Sequence, residues 1–283
     1  MAIGRAHTDI EIVSVDSMQV YRGMDVGTAK PTPAEQAEVP HHLIDLADPD
    51  EEFTVARFQR AFGDAFAEVE ARGHRALLVG GTGLYLRAVV DGLAIPGQFP
   101  EARRELEGAG TTQLHSRLAE LDPIAAARME PSNRRRIVRA LEVTVGSGRP
   151  FSSYGPGLEA YPPTPFRLVG ISLPTALVSA RVETRYRQQL DAGFIEEVRE
   201  LAGRPHGLSR TAAQALGYRE LLAHVRGELD LDAALEQAIR RTRQFARRQR
   251  AWFRRDPRIE WLTADDDPAE VLPSLERIVS GQT

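Results

Sequence analysis

Ile10-Glu11-Ile12-Val13-Ser14-Val15 crowds β-branched residues together and runs straight into Asp16. Such a run reads as a buried parallel strand. A carboxylate then stands at its C-terminal edge, which is where ligands bind in open α/β sheets. Ahead of the strand, Met1-Ala-Ile-Gly-Arg-Ala-His7 reads as the last two turns of a helix without a start signal. An Asp at such a position also serves as a turn former or a helix N-cap, and that reading stands beside the chemical one.

Further along, Thr54 caps a helix with Val55, Phe58, Phe62, Phe66 and Val69 on one face, and Gly73 ends it. Arg75 to Val79 forms a short apolar strand that feeds the turn Gly80-Gly81-Thr82-Gly83 and a helix from Leu84 to Val90. Strand–helix–strand alternation with short turns predicts an α/β fold with a parallel sheet. Composition shifts to Pro and Gly around Gly92 to Pro100, and no strand pattern returns until Phe166 to Leu173. Residues 98–164 are therefore expected to be a helical insertion in a core made of 1–97 and 165–283. After Pro174 the pattern is mostly helical, with Ile259 to Thr263 as a last strand.

The chain has 283 residues, a net charge of −4 and no cysteine. Disulfides and thiolate metal sites are excluded, and a reducing cytoplasm is the expected compartment. No apolar run approaches the roughly 18 residues of a membrane span, and no signal-peptide pattern opens the chain. The charge balance argues against indiscriminate nucleic-acid binding, so the distribution of charge matters more than its sum. Lys30 is the only lysine. It is either a solvated loop residue or, beside Gly27-Thr28, a phosphate contact. His41 and His42 are adjacent in a short strand and point to opposite faces, so one metal ion does not hold both.

Two basic surfaces stand out. Arg135, Arg136 and Arg139 cover one arc of a helix beginning near Ser132, with Ile137, Leu141 and Val145 facing elsewhere. Arg240, Arg243, Arg247, Arg250 and Arg254 form a stripe on a helix from about Asp232 to Arg254. Leu235, Ala238, Thr242, Phe245, Gln249 and Trp252 form a second stripe, expected against the core. Only Asp256 supplies an acid between Arg240 and Arg258, so pairing within the helix leaves the basic stripe free for RNA phosphates.

Asp16-Ser17-Met18-Gln19-Val20-Tyr21-Arg22-Gly23-Met24-Asp25, followed by Gly27-Thr28-Ala29-Lys30-Pro31, resembles the signature of the tRNA dimethylallyltransferases, also called tRNA isopentenyl transferases. The resemblance continues through Val39 to Asp45, Leu78 to Tyr85, Arg139 to Val143 and Leu216-Gly217-Tyr218. It implies a P-loop NTPase-like parallel sheet core with a helical tRNA-binding insertion. The implied reaction moves a dimethylallyl group from its diphosphate to N6 of the adenine 3′-adjacent to the anticodon. By the same resemblance Asp16 is the general base and Thr82 lies by the target adenosine. Contacts to the tRNA anticodon stem-loop fall on Ser17, Met18, Gln19, Arg103, Arg135, Arg136, Arg139, Gln214, Gly217, Tyr218 and Arg219. Some relatives carry Arg where Gln214 stands, as a diphosphate contact, and Arg219 is the substitute here. Mg²⁺ is the implied cofactor and a monomer the expected state.

In the family a P-loop holds the diphosphate and the metal, and this chain contains no G-x-x-x-x-G-K-[ST]. Met1 to Ala6 match the middle of the helix that follows that loop. The expectation is a start placed late, with the P-loop on the order of ten residues upstream in a strand–loop–helix unit. Residues 1–283 are then expected to lack a metal-binding residue, to be impaired in transfer, and to expose a sheet edge beside Ile10–Val15. A non-catalytic RNA-binding remnant is one alternative. A small-molecule P-loop kinase is another, but it needs neither the arginine surfaces nor so large an insertion. An adenylate isopentenyltransferase shares the chemistry but needs no RNA-clamping insertion.

Overall fold

The computed structural model describes residues 1–281, in two compact units: residues 1–90 with 165–281, and residues 91–164. The first division falls at Val90, earlier than the expected 97/98; the second coincides with 164/165.

The larger unit opens with α1 (Ala2–Ala6), β1 (Ile10–Val15), α2 (Pro33–Glu38), β2 (His41–His42), α3 (Val55–Ala71), β3 (Arg75–Gly80) and α4 (Gly83–Val90). β1 is buried along its whole length, as its β-branched run requires. It pairs in parallel with β2 through Ile12↔His41 and with β3 through Ile10↔Arg75 to Val15↔Gly80. Thr54 caps α3 by accepting the Arg57 N–H at 3.2 Å. Phe58 and Phe62 of α3 enter the core with Val13, Val15 and Tyr85, and Val69 is buried as well.

The smaller unit holds α5 (Pro100–Glu105), α6 (Thr111–Leu121), α7 (Pro123–Ala127) and α8 (Arg134–Ser147), with no strand among the described residues. Its own core joins Leu106, Leu114, Leu118, Ile137 and Leu141.

The larger unit resumes with β4 (Val169–Ser172), α9 (Thr175–Asp191), α10 (Phe194–Ala202), α11 (Tyr218–Val225), α12 (Leu231–Phe253), β5 (Glu260–Thr263) and α13 (Leu272–Val279). β4 pairs in parallel with β5, Val169↔Glu260 to Ser172↔Thr263. The expected parallel strands are present, but in two pieces: β2-β1-β3 and β4-β5. A cavity of about 1580 Å³ lies between them, lined by β3 on one side and β4 on the other. The exposed edge therefore runs along β3 and not beside Ile10–Val15. β1 has partners on both sides, whereas Val79 of β3 is 50 % exposed and Ile171 of β4 is 46 % exposed.

Candidate active site

The register of β1 against β3 pairs Val15 with Gly80, so the turns after both strands lie side by side. Asp16 opens the first turn. Its Oδ1 accepts the Met18 N–H at 2.7 Å and the Gln19 N–H at 3.3 Å, the self-capping that Asp provides in a turn. No protein hydrogen bond reaches Oδ2 among the described residues. The turn-forming reading holds: one oxygen fixes the carboxylate, and the other has no protein partner among the described residues.

Thr82 meets this turn from β3. Its Oγ1 accepts the Ser17 N–H at 3.2 Å and donates to Ser17 Oγ at 3.4 Å. The glycines around it are there for close packing. A Cβ on Gly81 would strike the Gln249 amide, and one on Gly83 the Trp252 ring. Gln249 donates to the Gly81 carbonyl at 3.0 Å, so α12 clamps the turn. Tyr85, one turn into α4, is buried, and burial together with the neighbouring Tyr21 and the Asp16 charge pushes its hydroxyl pKa up. It stays a neutral wall of the site.

Gln19 is committed inside the protein. Its Oε1 accepts from Ser14 Oγ at 2.8 Å, while its Nε2 donates to the Thr28 and Ala29 carbonyls, both at 3.2 Å. Both amide hydrogens thus brace the 25–29 loop. Met18 packs partly against the core and Ser17 is half-buried.

Lys30 fits neither expected role. It is buried, and Nζ donates to the Tyr21 carbonyl at 2.7 Å, to Asp25 at 2.5 Å and to Asp45 at 2.6 Å. With all three donors taken, it is a structural pin and not a phosphate contact. Asp25, Val26 and Gly27 are held again by Glu197 of α10, which accepts their N–H groups at 2.7, 2.7 and 3.2 Å. The Tyr218 hydroxyl donates to the same carboxylate at 2.6 Å. Gln189 donates to the Val26 and Gly27 carbonyls at 2.7 and 3.1 Å. Glu197 is the residue that sequence reasoning missed; Glu196-Glu197 reads as ordinary acids in the first turn of a helix.

Tyr218 is wholly buried, and burial with the adjacent Glu197 charge raises its hydroxyl pKa. Gly217, at φ +85°, packs against Phe194 and Tyr186. Both are buried in this structure. Gln214 and Arg219 are exposed, with Gln214 donating to the Arg210 carbonyl at 2.9 Å.

Two arginines of the α12 stripe have partners within the protein. Arg243 pairs with Glu183 of α9, and Arg250 donates to the Leu173 carbonyl and to Thr175 Oγ1 at 3.0 Å. Arg243, Arg247, Arg250 and Arg254 line the cavity between β3 and β4. Among the described residues one acid from another helix, Glu183 of α9, meets the stripe, at Arg243. Phe245, placed with the core-facing stripe, is instead 38 % exposed.

In the smaller unit Glu142 is buried and accepts from Arg103 at 3.0 Å, Arg139 at 2.7 Å and the Phe99 N–H at 3.0 Å. Arg139 also reaches the Pro96 and Gly97 carbonyls. Two of the four arginines expected on RNA therefore neutralise a buried carboxylate. Arg135 and Arg136 are exposed and have no acidic partner among the described residues.

His41 and His42 part company as expected: His41 Nδ1 bonds the Val39 carbonyl, and His42 Nε2 lies 2.5 Å from Glu11. Glu11 is also held by Arg72 and His74, and its carboxyl falls from 4.5 to about 2, chiefly through the Arg72 hydrogen bonds.

A profile of the IPP transferase family matches residues 19–256. The tRNA dimethylallyltransferase of Kineococcus radiotolerans is 49 % identical over 267 residues, covering 92 % of this chain and 84 % of its own. That of Geobacter metallireducens is 47 % identical over 259 residues, 89 % of this chain and 84 % of its own. Among solved structures, the full-length tRNA isopentenylpyrophosphate transferase of Bacillus halodurans superposes with a TM-score of 0.68 at 34 % identity, over 96 % of this chain and 88 % of its own. A eukaryotic dimethylallyltransferase acting on tRNA gives a TM-score of 0.77 at 22 % identity, over 96 % and 74 %, a likeness of fold. The parallel core expected from the sequence, P-loop NTPase-like in architecture, is the core of these structures. By profile, by identity and by fold, this chain belongs to the IPP transferase family.

Proposed function

We propose that this protein transfers a dimethylallyl group from dimethylallyl diphosphate to N6 of the adenine 3′-adjacent to the anticodon in tRNA. The observation that carries the reading is Asp16, fixed by Oδ1 and open at Oδ2, in a chain 49 % identical to a tRNA dimethylallyltransferase. An amine conjugated to a purine is a weak nucleophile. As N6 bonds to the allylic carbon, the carbon–oxygen bond breaks and the diphosphate leaves with its electron pair. The N6 proton passes to Asp16 Oδ2, which also orients the amine before attack. Thr82 holds the Ser17 backbone in place, so the carboxylate meets the base in a fixed direction. The base must first leave the anticodon-loop stack.

The RNA-facing charge we assign to Arg135 and Arg136, which are exposed and have no acidic partner among the described residues, with Gln214 and Arg219 as exposed contacts on the other unit. Among the described residues no three His, Cys, Asp or Glu side chains come together as a metal site. Mg²⁺ is therefore proposed to arrive as the partner of the diphosphate, held by phosphate oxygens, which is how Mg²⁺ commonly binds. No helix among the described residues is long and apolar enough to cross a membrane. A monomer working on tRNA in the cytoplasm is the proposed setting.

The test is single-turnover prenylation at saturating tRNA, on residues 1–283 and on the longest in-frame product of the gene. Asp16→Asn is expected to lose about 10²–10⁴-fold in rate with tRNA affinity little changed. A rate within a few-fold of the parent overturns the assignment.

A further inference from the structure

We propose that Tyr85 selects the base: its hydroxyl donates a hydrogen bond to the ring nitrogen beside N6, either N1 or N7, of the adenine whose N6 meets Asp16. This rests on the prenyl-transfer reading and adds to it the side chain that reads the base edge.

The hydroxyl is the open polar end of a tightly packed ring. Tyr85 is 8 % exposed, belongs to the core that holds Val15 and Tyr21, and meets the Phe58 ring at 4.6 Å between centroids. The Leu86 N–H bonds the Thr82 carbonyl at 3.0 Å, so the first turn of α4 fixes Tyr85 just behind Thr82. Among the described residues the Tyr85 hydroxyl has no hydrogen-bond partner. A buried phenol hydroxyl ordinarily finds one. Nor is it sealed in: the fully enclosed polar side-chain atom that lacks a partner among those residues is Arg243 Nε. The Tyr85 hydroxyl therefore faces open space.

That space borders the Asp16 turn. Burial raises the hydroxyl pKa, and Tyr21 and Asp16 are near enough to raise it further, so the phenol stays protonated and able to donate. Tyr21 does not take that proton in the structure, because its own hydroxyl is bonded to Thr211 Oγ1 at 2.6 Å. Asp16 uses Oδ1 for the Met18 and Gln19 N–H groups, and no bond joins its Oδ2 to Tyr85. An open acceptor and an open donor thus stand near one another unjoined. They suit a ligand edge that offers a donor beside an acceptor.

Adenine has that order on two edges, N6–H beside N1 and N6–H beside N7. Guanine and uracil put acceptors, O6 and O4, where Asp16 requires a donor. A phosphate oxygen is a poor alternative for the hydroxyl, because a second anion would then lie against the Asp16 carboxylate.

The experiment compares the parent with Tyr85→Phe, both in the longest in-frame product of the gene, which keeps the ring on Phe58. Each is given anticodon stem-loops carrying adenosine, 1-deazaadenosine or 7-deazaadenosine at the target position, and single-turnover prenylation is followed. Tyr85→Phe is expected to lose about tenfold or more on adenosine. On the analogue lacking the nitrogen that Tyr85 meets, the parent is expected to fall by a similar factor and Tyr85→Phe to lose nothing further. Tm is expected to stay unchanged, since the hydroxyl holds nothing within the protein. The inference is overturned if Tyr85→Phe matches the parent on adenosine, or if its loss is equal on all three bases. An equal loss with a lowered Tm would make the hydroxyl a structural group. A parent that prenylates none of the stem-loops sinks the prenyl-transfer reading itself, and this inference with it.

Discussion

The Ser17 backbone N–H donates to Thr82 Oγ1 at 3.2 Å, joining the turns that follow β1 and β3 across 65 residues of sequence. This bond sets where the Asp16 carboxylate stands relative to the glycine turn. Both partners come from strand ends whose positions the ladder already fixes.

Thr82→Val removes that tie while keeping the side chain's shape. Loss of one such hydrogen bond costs about 0.5–1.5 kcal/mol in stability. Turnover is expected to fall further than stability explains, on the order of 10- to 100-fold, because misplacement of a reacting group is costly. Thr82→Ser is expected to retain most of the rate. Single-turnover kinetics beside thermal melts separate the two effects.

Glu197→Gln replaces one acceptor oxygen of the clamp with a donor, opposite backbone N–H groups that are also donors. The expected loss is about 1–3 kcal/mol, the penalty for leaving such groups unsatisfied. Hydrogen exchange at the Asp25, Val26 and Gly27 amides is the direct readout. Unchanged exchange there means that Gln19, Lys30 and Gln189 hold the loop without Glu197.

The arginines divide into two groups. Arg135→Gln with Arg136→Gln is expected to weaken tRNA binding and flatten its salt dependence, by about 0.7–0.9 in log–log slope for each phosphate that is no longer neutralised. Arg103→Gln or Arg243→Gln is expected mainly to lower Tm, since each leaves an acid, Glu142 or Glu183, short of a partner. Binding titrations at several salt concentrations distinguish these. An equal slope change from Arg243→Gln would mean that its pairing with Glu183 opens on tRNA.

Glu11 gives the fold an acid limit. Its carboxyl is depressed from 4.5 to about 2 by Arg72, with His42 and His74 adding, so the folded state favours the ionised form. Stability from this site is complete above about 4.5 and is lost as pH falls toward 2. The depression corresponds to about 3 kcal/mol. Denaturant melts between pH 5 and pH 2 should show that loss, and Glu11→Gln should flatten it.

What was legible in the sequence was local. The β-branched run of β1, the Thr54 cap of α3, the insertion without strands and the extent of α12 follow from spacing within each element. The resemblance carried by Asp16 to Pro31 placed the chain in its family. Partners across the fold were not legible. The Arg243 stripe looked free because α12 holds few acids, yet Glu183 of α9 faces it. The burial of Tyr218 between Glu197 and Phe194 was equally absent from the sequence pattern.

The sequence by itself determined the elements, the family and the carboxylate at the end of a strand. Periodicity and turn chemistry act over a few residues and leave their mark in spacing. Only the tertiary structure decided that β1 is central and β3 carries the edge. It also decided that Lys30 is a pin, and that Arg103 and Arg139 answer a buried Glu142 rather than open water. Those outcomes depend on which distant groups desolvate one another, and a buried charge takes whatever counter-charge the packing brings to it.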